Sequence, residues 1–241
     1  MVLFGLTVGT TMGCCWARIR SFDDTPRLRH VLLVSFRPET TINQEIEMMK
    51  TLSSLPQIFP QVLRSYVYPD LRLAGGQSHP AGKNRGLVWM ADFRSRADFE
   101  AFEHDEQQMK MMIAFESLME PGSRATLQYA DPLPMIEGAH HIVMFSVKDD
   151  VTAEEFSTLE SSLRNLKQQI EEIHSINVAA AVSNLDGQTL PGNRNIAALV
   201  DFASIEKYEV YEKHPAHLSV VEKNIKPLIS PGSRAAIQFA S

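Results

Sequence analysis

The sequence predicts an α+β protein made of two copies of one unit, read as strand, helix, strand, strand, helix, strand, packed against each other within a single chain. Three observations carry this. Blocks of sequence recur in the same order about 110 residues apart, and such self-similarity marks duplicated architecture. The apolar residues switch between short β-rich runs and stripes at three- and four-residue spacing. Finally, 241 residues suit two domains of ordinary size.

The recurring blocks are explicit. RHVLLVSFRPETT from Arg29 is echoed by HHIVMFSVKDDVT from His140, NRGLVWMADFRSRADFEAF from Asn84 by NRNIAALVDFASIEKYEVY from Asn193, and PGSRATLQYA from Pro121 by PGSRAAIQFA from Pro231. The predicted organisation is a leader over 1–28, a first repeat over 29–131, a linker over 132–138 and a second repeat over 139–241. Pro132 and Pro134 mark the boundary, because two prolines continue neither a helix nor a central strand.

Within the first repeat, strands are expected at Val31 to Phe36, Val62 to Val67, Gly86 to Phe93 and Ala125 to Tyr129. In the second they are expected at Ile142 to Val147, Ile176 to Val182, Ile196 to Phe202 and Ala235 to Phe239. Each is short and rich in β-branched or aromatic residues. Thr41 with Gln44, and Thr152 with Glu155, have the spacing of a capping box and so open the two long helices. Ile42, Ile46, Met49 and Leu52 form the expected apolar stripe of the first, which Pro56 ends. Phe156, Leu159, Leu163, Leu166, Ile170 and Ile173 form that of the second, along about five turns. Ser95 and Ser204 sit where helix N-caps belong. The order is ferredoxin-like, and its one-sided sheet needs a partner for its bare face. The other repeat supplies it, closing an intrachain pseudo-dimeric barrel with a cavity expected between the two sheets.

Composition narrows the function. Apolar residues make up 44% of the chain and charged residues 22%, as in a globular protein. A net charge of −6 without a basic stripe argues against nucleic-acid binding. The two cysteines, Cys14 and Cys15, are adjacent and cannot staple the body of the chain. The first seventeen residues carry no charged side chain, and their apolar run falls short of the roughly 20 residues a membrane span needs. A cytoplasmic location is expected, with export or lipid anchoring through this leader as the alternative.

The second repeat also carries a recognisable constellation: a His opening its first strand, the pattern DFxSxxxYxxY ending at Tyr211, and the tetrapeptide His214-Pro215-Ala216-His217. Here the sequence resembles the stress-responsive dimeric α+β barrel (Dabb) domain, a member of the dimeric α/β-barrel superfamily whose single-copy proteins build a barrel by dimerising. In the first repeat the matching stretch, Glu103 to Gln108, lacks the Pro and the second His and reads as one residue shorter. The resemblance implies a plant polyketide cyclase type of chemistry, an aldol closure without metal or redox cofactor. It places the general base at His217, an assisting hydroxyl at Tyr211 and a further pocket residue at His141. His214 and Tyr208, close by in the same stretch, are the candidate substrate contacts. Where such a cyclase has another pocket histidine, this chain has Ile196, and Leu87 in the first repeat.

The residues themselves allow this reading, because a neutral imidazole near pH 7 can take a proton from an acidic carbon. They also allow His214 and His217 to be a helix cap and a packed side chain. A zinc or iron site from the two histidines with Asp201 has too few ligands, so no metal and no cofactor is expected. The expected partner is a small apolar metabolite, with further self-association of the barrel as an addition. The alternatives are a non-catalytic stress or assembly protein and a cofactor-independent monooxygenase-like enzyme.

Overall fold

The computed structural model describes residues 26–73, 86–182 and 192–241. Most of the expected leader and the Asn84-Arg85 pair lie outside the described residues. The first repeat contains β1 (Leu28–Val34), α1 (Ile42–Ser53), α2 (Leu55–Ile58), β2 (Val62–Pro69), β3 (Leu87–Phe93), α3 (Arg96–Glu103), α4 (Glu106–Glu116) and β4 (Ala125–Ala130). The second contains β5 (Ala139–Phe145), α5 (Ala153–Gln169), β6 (Ile173–Ala180), β7 (Ile196–Phe202), α6 (Ile205–Lys213), α7 (Pro215–Val220), a π-helix (Val221–Ile225) and β8 (Ala235–Ala240).

Each repeat forms one antiparallel four-stranded sheet, in the orders β2-β3-β1-β4 and β6-β7-β5-β8. Equivalent residues occupy equivalent registers: Leu32 faces Trp89 across β1 and β3, and Val143 faces Ala198 across β5 and β7. The long runs β1, β3 and β5 are buried at every position, because each sheet is covered on both faces. On one face lie the repeat's own helices. On the other, Val31, Leu33, Val88, Met90, Leu127 and Tyr129 meet Ile142, Met144, Leu199, Ile237 and Phe239 in one shared core.

That shared core corrects one expectation. The space between the sheets is filled by side chains, including Tyr68 stacked on Phe239 at 5.0 Å, and the ligand-sized cavity lies elsewhere. The physical reason is alternation along a strand: successive side chains point to opposite faces, and the large residues of the inward-facing set interdigitate. The barrel is closed at its edges by backbone bonds, Leu71 N–H to the Gln238 carbonyl and Val182 N–H to the Gln128 carbonyl, both 2.8 Å. These exchanged contacts cover β4 and β8, which would otherwise present unpaired edges.

The capping boxes form as expected. Thr152 Oγ1 accepts from Glu155 N–H at 3.2 Å, and the Glu155 carboxylate accepts from Thr152 N–H at 2.9 Å; Thr41 and Gln44 repeat the arrangement. The helix stripes need adjustment. In α1 the buried residues are Met48 and Leu52, while Ile42 and Ile46 are exposed at 66% and 40%. Ile46 precedes Met48 by two residues, which at 3.6 residues per turn places it on nearly the opposite side of the helix. In the second repeat Ile170 caps α5 and Ile173 already belongs to β6, so Leu159, Leu163 and Leu166 form the buried stripe.

Two buried polar pairs hold the linker and the strand ends. Arg29 binds Asp92 in a two-pronged ion pair (Nε to Oδ1 2.6 Å, a terminal nitrogen to Oδ2 2.9 Å) and also donates to the Leu133 carbonyl at 3.1 Å. At the same register in the second repeat, His140 bonds Asp201 at 2.7 Å and Ser241 at 2.9 Å, and Ser175 donates to the other Asp201 oxygen. Gly138 enters β5 with φ +142°, where a Cβ would collide with the Phe202 carbonyl oxygen, so the linker passes close to the sheet only through a glycine.

Candidate functional site

A cavity of about 390 Å³ opens in the second repeat between its sheet and its helices. Val143 and Ala198 from adjacent strands, with Ile176 from β6, make the floor; Leu163 and Leu166 of α5 make one wall, and Val221 and Ile225 of the π-helix another. The polar groups on this lining are Tyr211, Glu212, His217, Lys226 and Arg234. A mostly apolar concavity with a few polar groups is the usual form of a small-molecule site.

His217 is 6% exposed. Pro215 starts α7 and His214 caps it, its Nδ1 accepting from Ala216 N–H at 3.2 Å, so one turn of helix delivers the His217 ring to the cavity wall. Nδ1 of His217 lies 3.0 Å from the Glu212 backbone carbonyl, which accepts only. The proton therefore sits on Nδ1 and leaves the Nε2 lone pair as the basic site. Burial pushes the His217 pKa down, the Glu212 carbonyl partly offsets this, and Arg234 and His214 lower it further. The ring is thus neutral near pH 7 and available to accept a proton.

Tyr211 stacks obliquely on this ring, with centroids 4.4 Å apart. Burial raises its pKa well above the ordinary phenol value, so its hydroxyl stays a donor. Arg234 is a half-buried cation of the site, which also carries Lys226; burial lowers the Arg234 pKa, while Tyr208, Glu212 and Tyr211 support its charge. Burial pushes the Glu212 carboxyl up, against a hydrogen bond from Tyr208 and the charge of Arg234.

The structure thus brings His217 and Tyr211 together on the cavity and places the other three expected residues elsewhere. His141 is fully buried behind the tyrosines, 5.4 Å from the Tyr208 ring and 6.2 Å from that of Tyr211. Its Nδ1 accepts from the Gln238 amide at 3.0 Å, and burial with the His217 and Arg234 charges lowers its pKa to about 3. It supports the layer beneath the site. Tyr208 packs in the core with Phe202, its ring 6.3 Å from that of Tyr211, and bears on the site through Glu212 and Arg234. His214 turns outward to a polar surface depression with Lys167 and Glu172, because a cap must point its ring back at the helix end. Asp201 lies on the inter-sheet side with His140, apart from His214 and His217. Among the described residues no group of three or more His, Cys, Asp or Glu is placed to hold a metal ion.

In the sequence Arg234 is only one residue of the recurring PGSR block, and no motif marks Ala198 or the π-helix. The signals were present. In the aligned strands GLVWMADF and NIAALVDF, the bulky Trp89 stands against Ala198. The one-residue difference between the repeats is also not where the motif comparison placed it. The caps Asp105 and His214 are equivalent, as are Gln108 and His217. The extra residue is taken up later, before the bridges Phe36 to Met119 and Val147 to Ile229, where the chain forms the π-helix. Such a widened turn often marks a functional site.

Fold and site together define a two-repeat α+β barrel protein with a ligand-sized cavity under the helices of its second repeat. Residues 139–240 match the family model of the Stress responsive A/B Barrel Domain, Dabb, and this repeat belongs to the Dabb family. Over both repeats the chain resembles an anthrone oxidase-like protein, at 14% identity, covering 90% of this chain and 92% of that one with a TM-score of 0.63. It also resembles a protein from Fusobacterium nucleatum described as a candidate monooxygenase, at 7% identity, covering 90% and 92% with a TM-score of 0.52. Both likenesses extend the shared fold across the whole barrel. A dimeric ferredoxin-like protein of unknown function from Bacteroides fragilis is 27% identical over 43% of this chain and 95% of its own, with a TM-score of 0.34. No curated protein sequence is significantly similar to the chain. No helix among the described residues is long and apolar enough to cross a membrane.

Proposed function

We propose that the second repeat takes up a small, mostly apolar metabolite in its cavity and that His217 acts on it as a general base. The observation that carries this reading is the bond from His217 Nδ1 to the Glu212 carbonyl, which leaves Nε2 as a neutral acceptor in the cavity wall. Nε2 takes a proton from a carbon next to a ligand carbonyl, and the resulting enolate oxygen is stabilised by the Arg234 guanidinium and the Tyr211 hydroxyl. In the cyclase-type reaction the carbanion adds to a second carbonyl of the same ligand, and the proton on Nε2 returns to the new alkoxide. No electrons leave the system, and the sequence resemblance to the cofactor-independent cyclases supports this course.

The test needs no knowledge of the natural ligand. In heavy water, proton abstraction exchanges the hydrogens next to the carbonyl of 2-nonanone, which proton NMR follows directly. The native chain should speed this exchange, and His217→Gln should lose about 10²- to 10⁴-fold of the effect while still binding the ketone. Equal exchange in the two proteins overturns the reading. Binding without exchange in the native chain supports the alternative, a non-catalytic binding protein, which the buried Ile196 in place of a pocket histidine favours. Oxygen uptake on addition of an acidic phenolic ligand would instead assign the monooxygenase-like reaction.

A further inference from the structure

The two repeats show one frame in an open and a closed form. In the first, the position of Ala198 is held by Trp89, 1% exposed, and that of Ile176 by Ser65. The indole N–H donates to Ser65 Oγ at 2.9 Å, and Ser65 in turn donates to the Leu52 carbonyl at 2.6 Å. Leu52 is the counterpart of Leu163, counted from the capping boxes at Thr41 and Thr152. The indole thus lies over the floor, between sheet and helix, and is latched there by a two-step hydrogen-bond chain. Its rim is closed by Phe102 (rings 6.3 Å apart) and His30 (5.1 Å), the counterparts of Tyr211 and His141.

From this comparison we infer that Ala198 and Ile176 determine how deep a ligand can reach and so which ligands fit, and that each chain binds one ligand, the first repeat being plugged by Trp89. The inference rests on the cavity being a ligand site, but not on His217 being a base. Ala198 leaves the floor between Val143 and Val178 without a side chain beyond Cβ, and Ile176 lines the resulting depth with hydrocarbon where the first repeat has the latch. The one-residue insertion that forms the π-helix moves Val221 and Ile225 to the opposite wall. Depth is thus added at the floor, while the polar groups stay on the helix and loop side.

The first repeat also supplies the control. Because Trp89 and Ser65 already fit this frame, the double variant Ala198→Trp/Ile176→Ser transplants a plug with its latch and is expected to fold. The probes are 4-n-alkylphenols from ethyl to octyl, titrated calorimetrically against the native chain, Ala198→Val and the double variant. The native chain should bind one equivalent. Ala198→Val should shorten the best-bound chain by a methylene or more and weaken the longest bound member about tenfold or more, with shorter members unchanged. The double variant should bind none while keeping a native circular dichroism spectrum.

An unchanged length profile in Ala198→Val, or binding by a folded double variant, overturns the inference and leaves the base reading standing. A shifted profile together with unimpaired ketone exchange in His217→Gln sinks the base reading and leaves this one. Two equivalents bound per native chain overturn the plug, and no binding by the native chain overturns both.

Discussion

Acidification from pH 7.5 to 5.0 should destabilise the fold chiefly through two buried histidines, His30 and His141. Each sits at the same register of its repeat, bonded through Nδ1 to Gln128 (2.8 Å) or Gln238 (3.0 Å). Each has its pKa lowered to about 3 by burial, with Arg124 adding to the effect at His30, and His217 and Arg234 at His141. The unfolded value is near 6.5, so between about pH 6.5 and 3 the unfolded chain binds protons that the fold refuses. Stability from these groups is therefore complete above pH 6.5 and is lost as the pH falls. One pKa unit corresponds to about 1.4 kcal/mol, and by pH 5.0 each histidine costs roughly 2 kcal/mol, about 4 kcal/mol together. Asp70, Glu103 and Glu212, whose carboxyls burial holds up, act in the opposite sense. The informative quantity is thus the difference from a variant. Urea unfolding at a series of pH values should show His30→Gln/His141→Gln with a flatter pH dependence than the native chain. A native chain whose advantage over the variant stays constant from pH 7.5 to 5.0 would refute the assignment of both rings as neutral and buried.

Three further perturbations test the packing. Trp89→Ala empties the plugged floor of the first repeat, and the fully buried indole makes a loss of about 3–5 kcal/mol the expected result by urea unfolding; a loss below 1 kcal/mol would mean that the indole does not fill that space. Removing one member of the Arg29 and Asp92 pair, as in Asp92→Asn, should cost about 3–5 kcal/mol because it strands a buried guanidinium, whereas Arg29→Met/Asp92→Leu should cost clearly less. Equal losses would show that the pair itself, not the stranded charge, carries the energy. Thr152→Ala removes a cap and should cost about 1 kcal/mol, visible as a small shift in thermal midpoint and as faster amide exchange confined to the first turn of α5.

Much of the architecture was legible because it depends on local patterns repeated twice. The blocks at Arg29 and His140, Asn84 and Asn193, and Pro121 and Pro231 placed six of the eight strands within a few residues. The capping boxes at Thr41 and Thr152 form with both of their hydrogen bonds. Of the α1 stripe, Leu52 is buried and Met49 packs against the core, but Ile42 and Ile46 are exposed: they look as apolar as Met48, and only the sheet decides which side of the helix it meets. Of the five expected site residues, His217 and Tyr211 reach the cavity. His141, Tyr208 and His214 do not, since adjacency in a motif says nothing about which side of a helix or layer a ring occupies.

The duplicated pattern by itself determined the element order and the pairing of two half-barrels, since periodicity and caps are properties of neighbouring residues, while the family resemblance of the second repeat came from the short motif ending at His217. Where the ligand-sized space lies was decided only in three dimensions. Side chains far apart in the chain compete for the same volume: between the sheets Tyr68, Tyr129 and Phe239 win it, under the first repeat's helices Trp89 does, and beneath α5 and the π-helix Ala198 leaves it open. Close packing makes that outcome a property of the whole set of facing residues and not of any one of them.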